Sequence, residues 1–326
     1  MRALVTGCAG FIGSHLAESL LVDGHEVIGV DVLLDNYATT VKLQNLERAQ
    51  EFDAFQFLML DLSRAELEPL VGECHVVFHL AAEPGVRSSW GGRFESYERN
   101  NVLATQRLLE ALKAWPEKRL VYASSSSVYG DAERLPTDEE ATPRPFSPYG
   151  VTKLAAEHLC GLYHGNDGLA TVSLRYFSVY GPRQRPDMAF NRFCRAALRR
   201  ESLTVFGDGE QTRDFTFVGD VVAATRAAAI SPAAPGRTYN VGGGSGISVN
   251  DALGLLASFT GRPLDVSYVD AERGDVRDTG ADTARARRDL GFRPAVSFET
   301  GLWAEFEWMQ ARGLHRIRSS DRAATG

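Results

Sequence analysis

The chain has 326 residues and is 44% hydrophobic, enough to bury a large core as one big domain or two intermeshed ones. Its formal net charge is -7, with acids and bases interspersed, so it lacks the basic footprint of a nucleic-acid-binding protein and must meet any anion with local groups. No run of 18 apolar residues occurs, and the opening MRALVTG lacks the apolar stretch and cleavage site of a signal peptide, so no membrane partner and a cytoplasmic location are expected.

In chain order, short apolar runs rich in Val, Leu and Phe recur as RALVT, EVIGV, FQFLML, HVVFHL, RLVYA and LATVSLR. Such runs fit strands buried on both faces of a parallel sheet. Helical patterns lie between them, notably FIGSHLAESLLVDG, NNVLATQRLLEALKAW and SPYGVTKLAAEHLCGLYHG. The alternation predicts a doubly wound α/β sheet of the Rossmann kind over residues 1–175, completed by about 214–242. After residue 175 the turns GPRQRPDM, FGDGEQTRDF and VGGGSGIS break the rhythm, predicting a smaller α/β cap from 176–213 and 243–312. The last residues, 313–326, have no periodic apolar face and read as a disordered tail. Cys8, Cys74, Cys160 and Cys194 follow no metal or redox spacing, so they read as reduced core thiols and no metal is expected.

The first strand runs into Gly7, Gly10 and Gly13 and then a helix. Glycines at this spacing allow a tight turn, close approach of a pyrophosphate to the helix N-terminus, and packing of that helix on the strand. Asp31 ends the next strand, about twenty residues on, where a carboxylate can accept the ribose hydroxyls. No arginine follows it in DVLLDNY, so NAD is favoured over NADP. Asp61 and Leu62 are placed to reach the adenine edge, and Leu80, Ala81 and Ala82 the phosphate side, although plain strand ends would read much the same.

YASSSSVYG, residues 122–130, sets four serines at the end of an apolar strand. Tyr149 and Lys153 follow, four apart and so on one face of a helix. An ammonium near a phenol favours the phenolate, which can act as a base on a hydroxyl. Lys153 is one of only four lysines, with Lys42, Lys113 and Lys118.

The glycine triplet, the serine strand and Tyr149-x-x-x-Lys153, joined by NNV, RYFSVYGPR, VFGDGEQTRDFTFVGD and GDV, resemble extended short-chain dehydrogenase/reductases of the NAD-dependent nucleotide-sugar epimerase and dehydratase family. The resemblance spans residues 1 to about 312. It implies NAD held by a Rossmann domain, a cap holding a nucleotide diphosphate, and a homodimer through the NNVLATQRLLEALKAW and SPYGVTKLAAEHLCGLY helices. It implies Ser125 as the catalytic hydroxyl beside Tyr149 and Lys153, with further cofactor contacts from Phe11, Ile12, Asn100 and Tyr176.

The dehydratases of that family place Asp-Glu beside the catalytic hydroxyl, and the glucuronate decarboxylases place Glu after it; here Ser126 and Ser127 stand there. That leaves oxidation at C4, rotation of the keto sugar and hydride return, a 4-epimerase. The RPDMA loop resembles UDP-glucuronate 4-epimerases, making Arg185 the candidate for the C6 carboxylate, since a guanidinium offers two parallel hydrogen bonds. A solvated loop arginine or a diphosphate contact is the alternative for it. Ser126, Ser127 and Ser178 could add hydroxyls; Pro84, Gly85 and Arg87 complete the expected sugar contacts. Arg213 and Arg273 are expected at the diphosphate, Asp275 at the uridine ribose and Phe206 at the uracil. The alternatives are a UDP-glucose or UDP-GalNAc 4-epimerase, a UDP-glucuronate decarboxylase and a non-catalytic NAD-binding sensor.

Overall fold

A computed structural model describes residues 1–271, 274 and 276–313. The expected tail beyond 313, and Arg273 and Asp275, lie outside the described residues.

Seven strands form one parallel sheet: β1 (Arg2–Thr6), β2 (Glu26–Asp31), β3 (Phe55–Met59), β4 (Val76–His79), β5 (Arg119–Ser125), β6 (Thr171–Tyr176) and β7 (Arg237–Val241). Their spatial order is β7-β6-β5-β4-β1-β2-β3, with every neighbouring pair parallel. The runs in β1, β2, β4, β5 and β6 are buried on both sides because successive side chains face opposite layers, whereas β3, at the sheet edge, is only half-buried, with Gln56 and Met59 exposed. In β1, Ala3 and Val5 pack with Leu16, Ala17 and Leu20 of the Phe11–Val22 helix on one face. Leu4, between them, packs with Leu108, Leu112 and Ala156 on the other. The strand order reverses between β1 and β4, so their carboxyl ends leave a crevice where open α/β sheets bind ligands. The last strand, β7, comes from far along the chain and pairs with β6, tying the second half of the sequence into the first sheet.

The cap has its own core. Tyr180, Phe190, Phe215 and Phe298 interlock with ring centroids 4.6 to 6.2 Å apart. Leu253, Leu256, Leu302 and Met309, from the Val249–Thr260 and Phe298–Ala311 helices, fill around them. Three two-stranded ladders complete it: 179–180 with 216–217, 212–214 with 246–248, and 203–206 with 266–269. The cap core packs apart from the layers beside the sheet, with Phe217 touching both.

Candidate active site

At the carboxyl end of β1 the backbone turns at Gly7, with φ +71°, where a side chain would be strained and its Cβ would lie 2.7 Å from the Ala81 nitrogen. A Cβ on Gly13 would lie 2.1 Å from the Gly7 carbonyl, so only glycine lets the helix start this close to the turn. That helix begins after Gly10, which is extended and offers no side-chain cap, leaving the first-turn N–H groups to an anion. Gly7, Gly10, Phe11, Ile12 and Gly13 line a cleft together with Asp31, Leu62, Leu80, Ala81, Ala82 and Asn100. Tyr149, Lys153, Tyr176 and Pro84 line the same cleft.

Asp31 does more than face the cleft. Its carboxylate accepts from the Leu33 N–H at 2.8 Å and the Ala9 N–H at 3.1 Å, so it also fixes the glycine turn. Burial raises its pKa, against the opposing pull of those amides and of Lys42. Asp61, by contrast, is not among the lining residues; it accepts from the Ser63 N–H and hydroxyl at 2.8 and 2.7 Å. The structure adds Leu34, Asn36, Tyr37 and Lys42 to the cleft. Lys42 is 5% exposed, donates to Asn36 at 2.8 Å and to the Leu34 carbonyl, and sits 4.6 Å from the Tyr37 ring centroid. The scarcity of lysine was the signal that could have found it. Glycines without side chains, an uncapped helix start and a carboxylate beyond them fit a dinucleotide.

Tyr149 and Lys153 stand one turn apart on the Pro148–Asp167 helix, whose start is set by Pro148 and by Ser147, which accepts from the Gly150 N–H at 3.1 Å. Ser125 closes β5 opposite Tyr176, and its side chain is close enough to the Tyr149 phenol to pull that phenol's pKa down. The chain then enters a 3₁₀ turn over Ser126–Val128, in which the Ser127 N–H returns to the Ser125 hydroxyl at 3.1 Å. Ser126 and Ser127 line neither this cleft nor the next one.

Burial pushes Lys153 down to about 7, with Cys160 and Glu157 opposing, and its Nζ lies 4.4 Å from the Tyr122 ring centroid. Burial raises the Tyr149 phenol; the Ser125 hydrogen bond and the Arg185 charge pull it down. Arg185, from the cap, thus adds a cation whose charge favours the phenolate.

Beneath the serines lies a buried network. Ser124, which also lines the cleft, donates to Glu157 at 2.6 Å. Glu157 accepts from Nε and Nη2 along one edge of the Arg175 guanidinium at 2.5 to 3.2 Å. Arg175 donates to the Tyr129 hydroxyl, which donates to Asn240 on β7, each at 2.7 Å. Ser124 is thus the anchor of the strand end and Ser125 its half-buried neighbour.

A second cleft opens between sheet and cap, lined by Gly85, Arg87, Ser178, Arg185, Phe206 and Arg213. Arg185 lines both clefts, with its guanidinium held bidentately by Asp187 at 3.0 and 2.8 Å. Arg87 stacks over the Phe206 ring at 4.2 Å, and Arg192 approaches it at 5.7 Å. Arg213 donates to the Thr212, Val276 and Arg277 carbonyls at 2.9, 2.5 and 2.6 Å. Gln184, Met188, Thr204 and Gln211 also line this cleft, and nothing in their sequence pattern marked them.

The profile of the NAD dependent epimerase/dehydratase family matches residues 3–242. A Bacillus subtilis protein named as an uncharacterized UDP-glucose epimerase is 43% identical over 95% of this chain and 98% of its own length. The UDP-glucuronate 4-epimerase of Thermodesulfobacterium geofontis is 37% identical over 94% of this chain and 95% of its own. The crystal structure of UDP-glucuronic acid 4-epimerase from Bacillus cereus, with UDP-glucuronic acid and NAD, superposes with a TM-score of 0.93 at 42% identity, covering 96% of this chain and all of that one. With the glycine cleft, the Ser125, Tyr149 and Lys153 cluster and these likenesses together, the chain belongs to the NAD-dependent epimerase/dehydratase family.

Proposed function

We propose that the protein interconverts UDP-glucuronate and UDP-galacturonate by inverting C4 through a 4-keto sugar. The observation that carries this is the position of Arg185: it lines both clefts and its charge reaches the Tyr149 phenol. A guanidinium there can hold a C6 carboxylate by two hydrogen bonds while C4 lies at the tyrosine.

NAD in the glycine cleft supplies a reversible hydride acceptor for C4. Gly7, Gly10 and Gly13 and the open helix start would take its pyrophosphate, and Asp31 a ribose. The Tyr149 oxygen takes the C4 hydroxyl proton during oxidation and returns it after the keto sugar has turned its other face. Ser125 holds that oxygen in place, and Arg185 lowers the cost of the phenolate. A glucuronate gives a β-keto acid that is prone to losing carbon dioxide; hydrogen bonds that keep the carboxylate bond out of line with the carbonyl π system suppress the loss. Ser178, which lines the cap cleft, is the hydroxyl offered for this in place of Ser126 and Ser127, with Pro84, Gly85 and Arg87 along the sugar, Phe206 by the uracil, and Arg213 by the diphosphate. A cation already sits on Phe206, so uracil contact there requires Arg87 to share or yield the ring face.

The Arg185–Asp187 pair favours a second reading, a neutral hexose such as UDP-glucose, because Asp187 already satisfies that guanidinium. A panel of UDP-sugars resolved by product chromatography decides. The proposal expects UDP-galacturonate from UDP-glucuronate; faster turnover of UDP-glucose, carbon dioxide as the main product, or no product despite bound NAD would each overturn it.

A homodimer is proposed on Leu103, Val151 and Leu162, which are 44%, 48% and 54% exposed on the two helices expected to pair. Sedimentation at a monomer's mass would refute it. The division into an NAD domain at 1–175 and about 214–242 and a sugar domain from the rest is proposed on the separate cores. No helix among the described residues is long and apolar enough to cross a membrane, and four buried free thiols support a reducing, cytoplasmic setting.

A further inference from the structure

The cap segment leading to Arg185 is tied to the cofactor helix. Arg183 holds a left-handed backbone, φ +67°, that strains a non-glycine residue. Its guanidinium reaches back to the Phe11–Val22 helix, pairing with Glu18 at 2.7 Å and donating to the Ser14 hydroxyl at 3.2 Å. Arg183 and Glu18 side chains are each 10% exposed, so the pair is shielded from water and salt. On the same side of that helix, His15 Nε2 bonds the Pro182 carbonyl at 2.8 Å.

The neighbours of this pair are fixed on the cap side. The Gly181 N–H donates to Glu305 at 2.8 Å, and Gln184 bonds the Val179 carbonyl at 3.1 Å and accepts from the Asn191 N–H at 2.9 Å. Four consecutive residues, Gly181 to Gln184, are therefore pinned, the outer two to the cap and the inner two to the cofactor helix, and Arg185 is the next. A surface loop needs no such bracing. Its cost, a strained Arg183 and two desolvated charges, is met at the one place where the cap's cation enters the cofactor cleft.

We propose that Glu18 and Arg183 are positioning residues for the sugar carboxylate: their ion pair sets where Arg185 stands relative to Tyr149, and so biases the enzyme toward a uronate over a neutral hexose. The proposal rests on the carboxylate role given to Arg185 above. Glu18 acts from the helix whose other end receives the pyrophosphate, so it supports cofactor and sugar sites at once without touching either ligand. Nothing in the motif GFIGSHLAES marks Glu18; only the return of Arg183 onto it does.

The test uses the full-length protein with its bound NAD. Glu18→Gln removes the charge at constant shape. Arg183→Gly removes the tether while keeping a left-handed backbone at no steric cost, and decides the matter if Glu18→Gln does not fold. Both variants are expected to raise KM for UDP-glucuronate about tenfold, with kcat and the inhibition constant of UDP-glucose changed less than about twofold, since a small misplacement of a positioning group is enough for such a loss. Added to Arg185→Ala, neither should raise that KM further. Equal losses for both ligands, additive effects with Arg185→Ala, or unchanged KM in both single variants would overturn the proposal. Arg185→Ala alone sparing UDP-glucuronate would sink the carboxylate role and the proposal with it; Arg185→Ala impairing it while both tether variants spare it would sink the tether alone.

Discussion

Glu157 is the most exposed point of the design, energetically rather than spatially. It is the sole carboxylate seen on the buried Arg175 guanidinium among the described residues, it accepts from Ser124, and the two side chains of the pair are 7% and 6% exposed. Breaking one partner of such a pair leaves a desolvated charge and costs about 3–5 kcal/mol. At roughly 2 °C per kcal/mol for a chain of this size, Glu157→Ala should lower the Tm by about 6–10 °C. Replacing both partners by apolar residues, Glu157→Leu with Arg175→Met, leaves no orphan charge and should recover much of that loss, with the Tyr129 hydroxyl still bonded to Asn240. Activity carries an independent signature. Glu157 opposes the burial that pushes Lys153 down to about 7, so its removal lets the ammonium lose its proton at still lower pH. Calorimetry of the single and double variants, each with its pH-rate profile, reads both effects. A single variant no less stable than the double one would refute the account of the pair, and an unmoved profile would refute the electrostatic link to Lys153.

Tyr149→Phe should lower kcat by about 10²–10⁴ while bound NAD, measured after denaturation, stays at the wild-type level; loss of NAD with equal loss of activity would make Tyr149 a cofactor ligand only. Gly13→Ala sets a Cβ 2.1 Å from the Gly7 carbonyl, so the protein should purify with far less NAD, and full retention would show that the helix start can shift. Glu305, fully buried with one oxygen lacking a hydrogen-bond partner, is pushed up to about 8 by that burial. The native state then holds a proton that the unfolded chain gives up near the ordinary value of 4.5, so stability falls as pH rises from about 4.5 through 8. Glu305→Gln should flatten that fall, with Tm against pH from 5 to 9 as the readout; parallel curves for variant and wild type would show that Glu305 does not titrate in the fold.

Much of this was legible in the sequence because it is written locally. The strand runs, the glycine turn and the one-turn spacing of Tyr149 and Lys153 depend on neighbours a few residues away, and period alone fixes which face each side chain takes. Ser125 was identified by resemblance, and its side chain is one of the groups that lower the Tyr149 phenol. Lys42, Glu18 and Glu157 carried no role in that reading. Each acts on a partner distant in sequence or across a turn, so its function exists only once the chain is closed.

The electrostatics show the division most clearly. Spacing put a lysine beside a tyrosine, but only the closed chain shows how deeply burial lowers Lys153 and that Arg185, from a distant segment, adds its charge to the phenol. Sequence by itself determined the strand runs, the cofactor turn and the one-turn spacing of Tyr149 and Lys153, since short-range sterics and side-chain periodicity suffice for them. Tertiary structure alone decided which cation faces the phenol and what holds that cation there, because charge and desolvation act through space between segments more than a hundred residues apart along the chain, as Glu18 and Arg183 are.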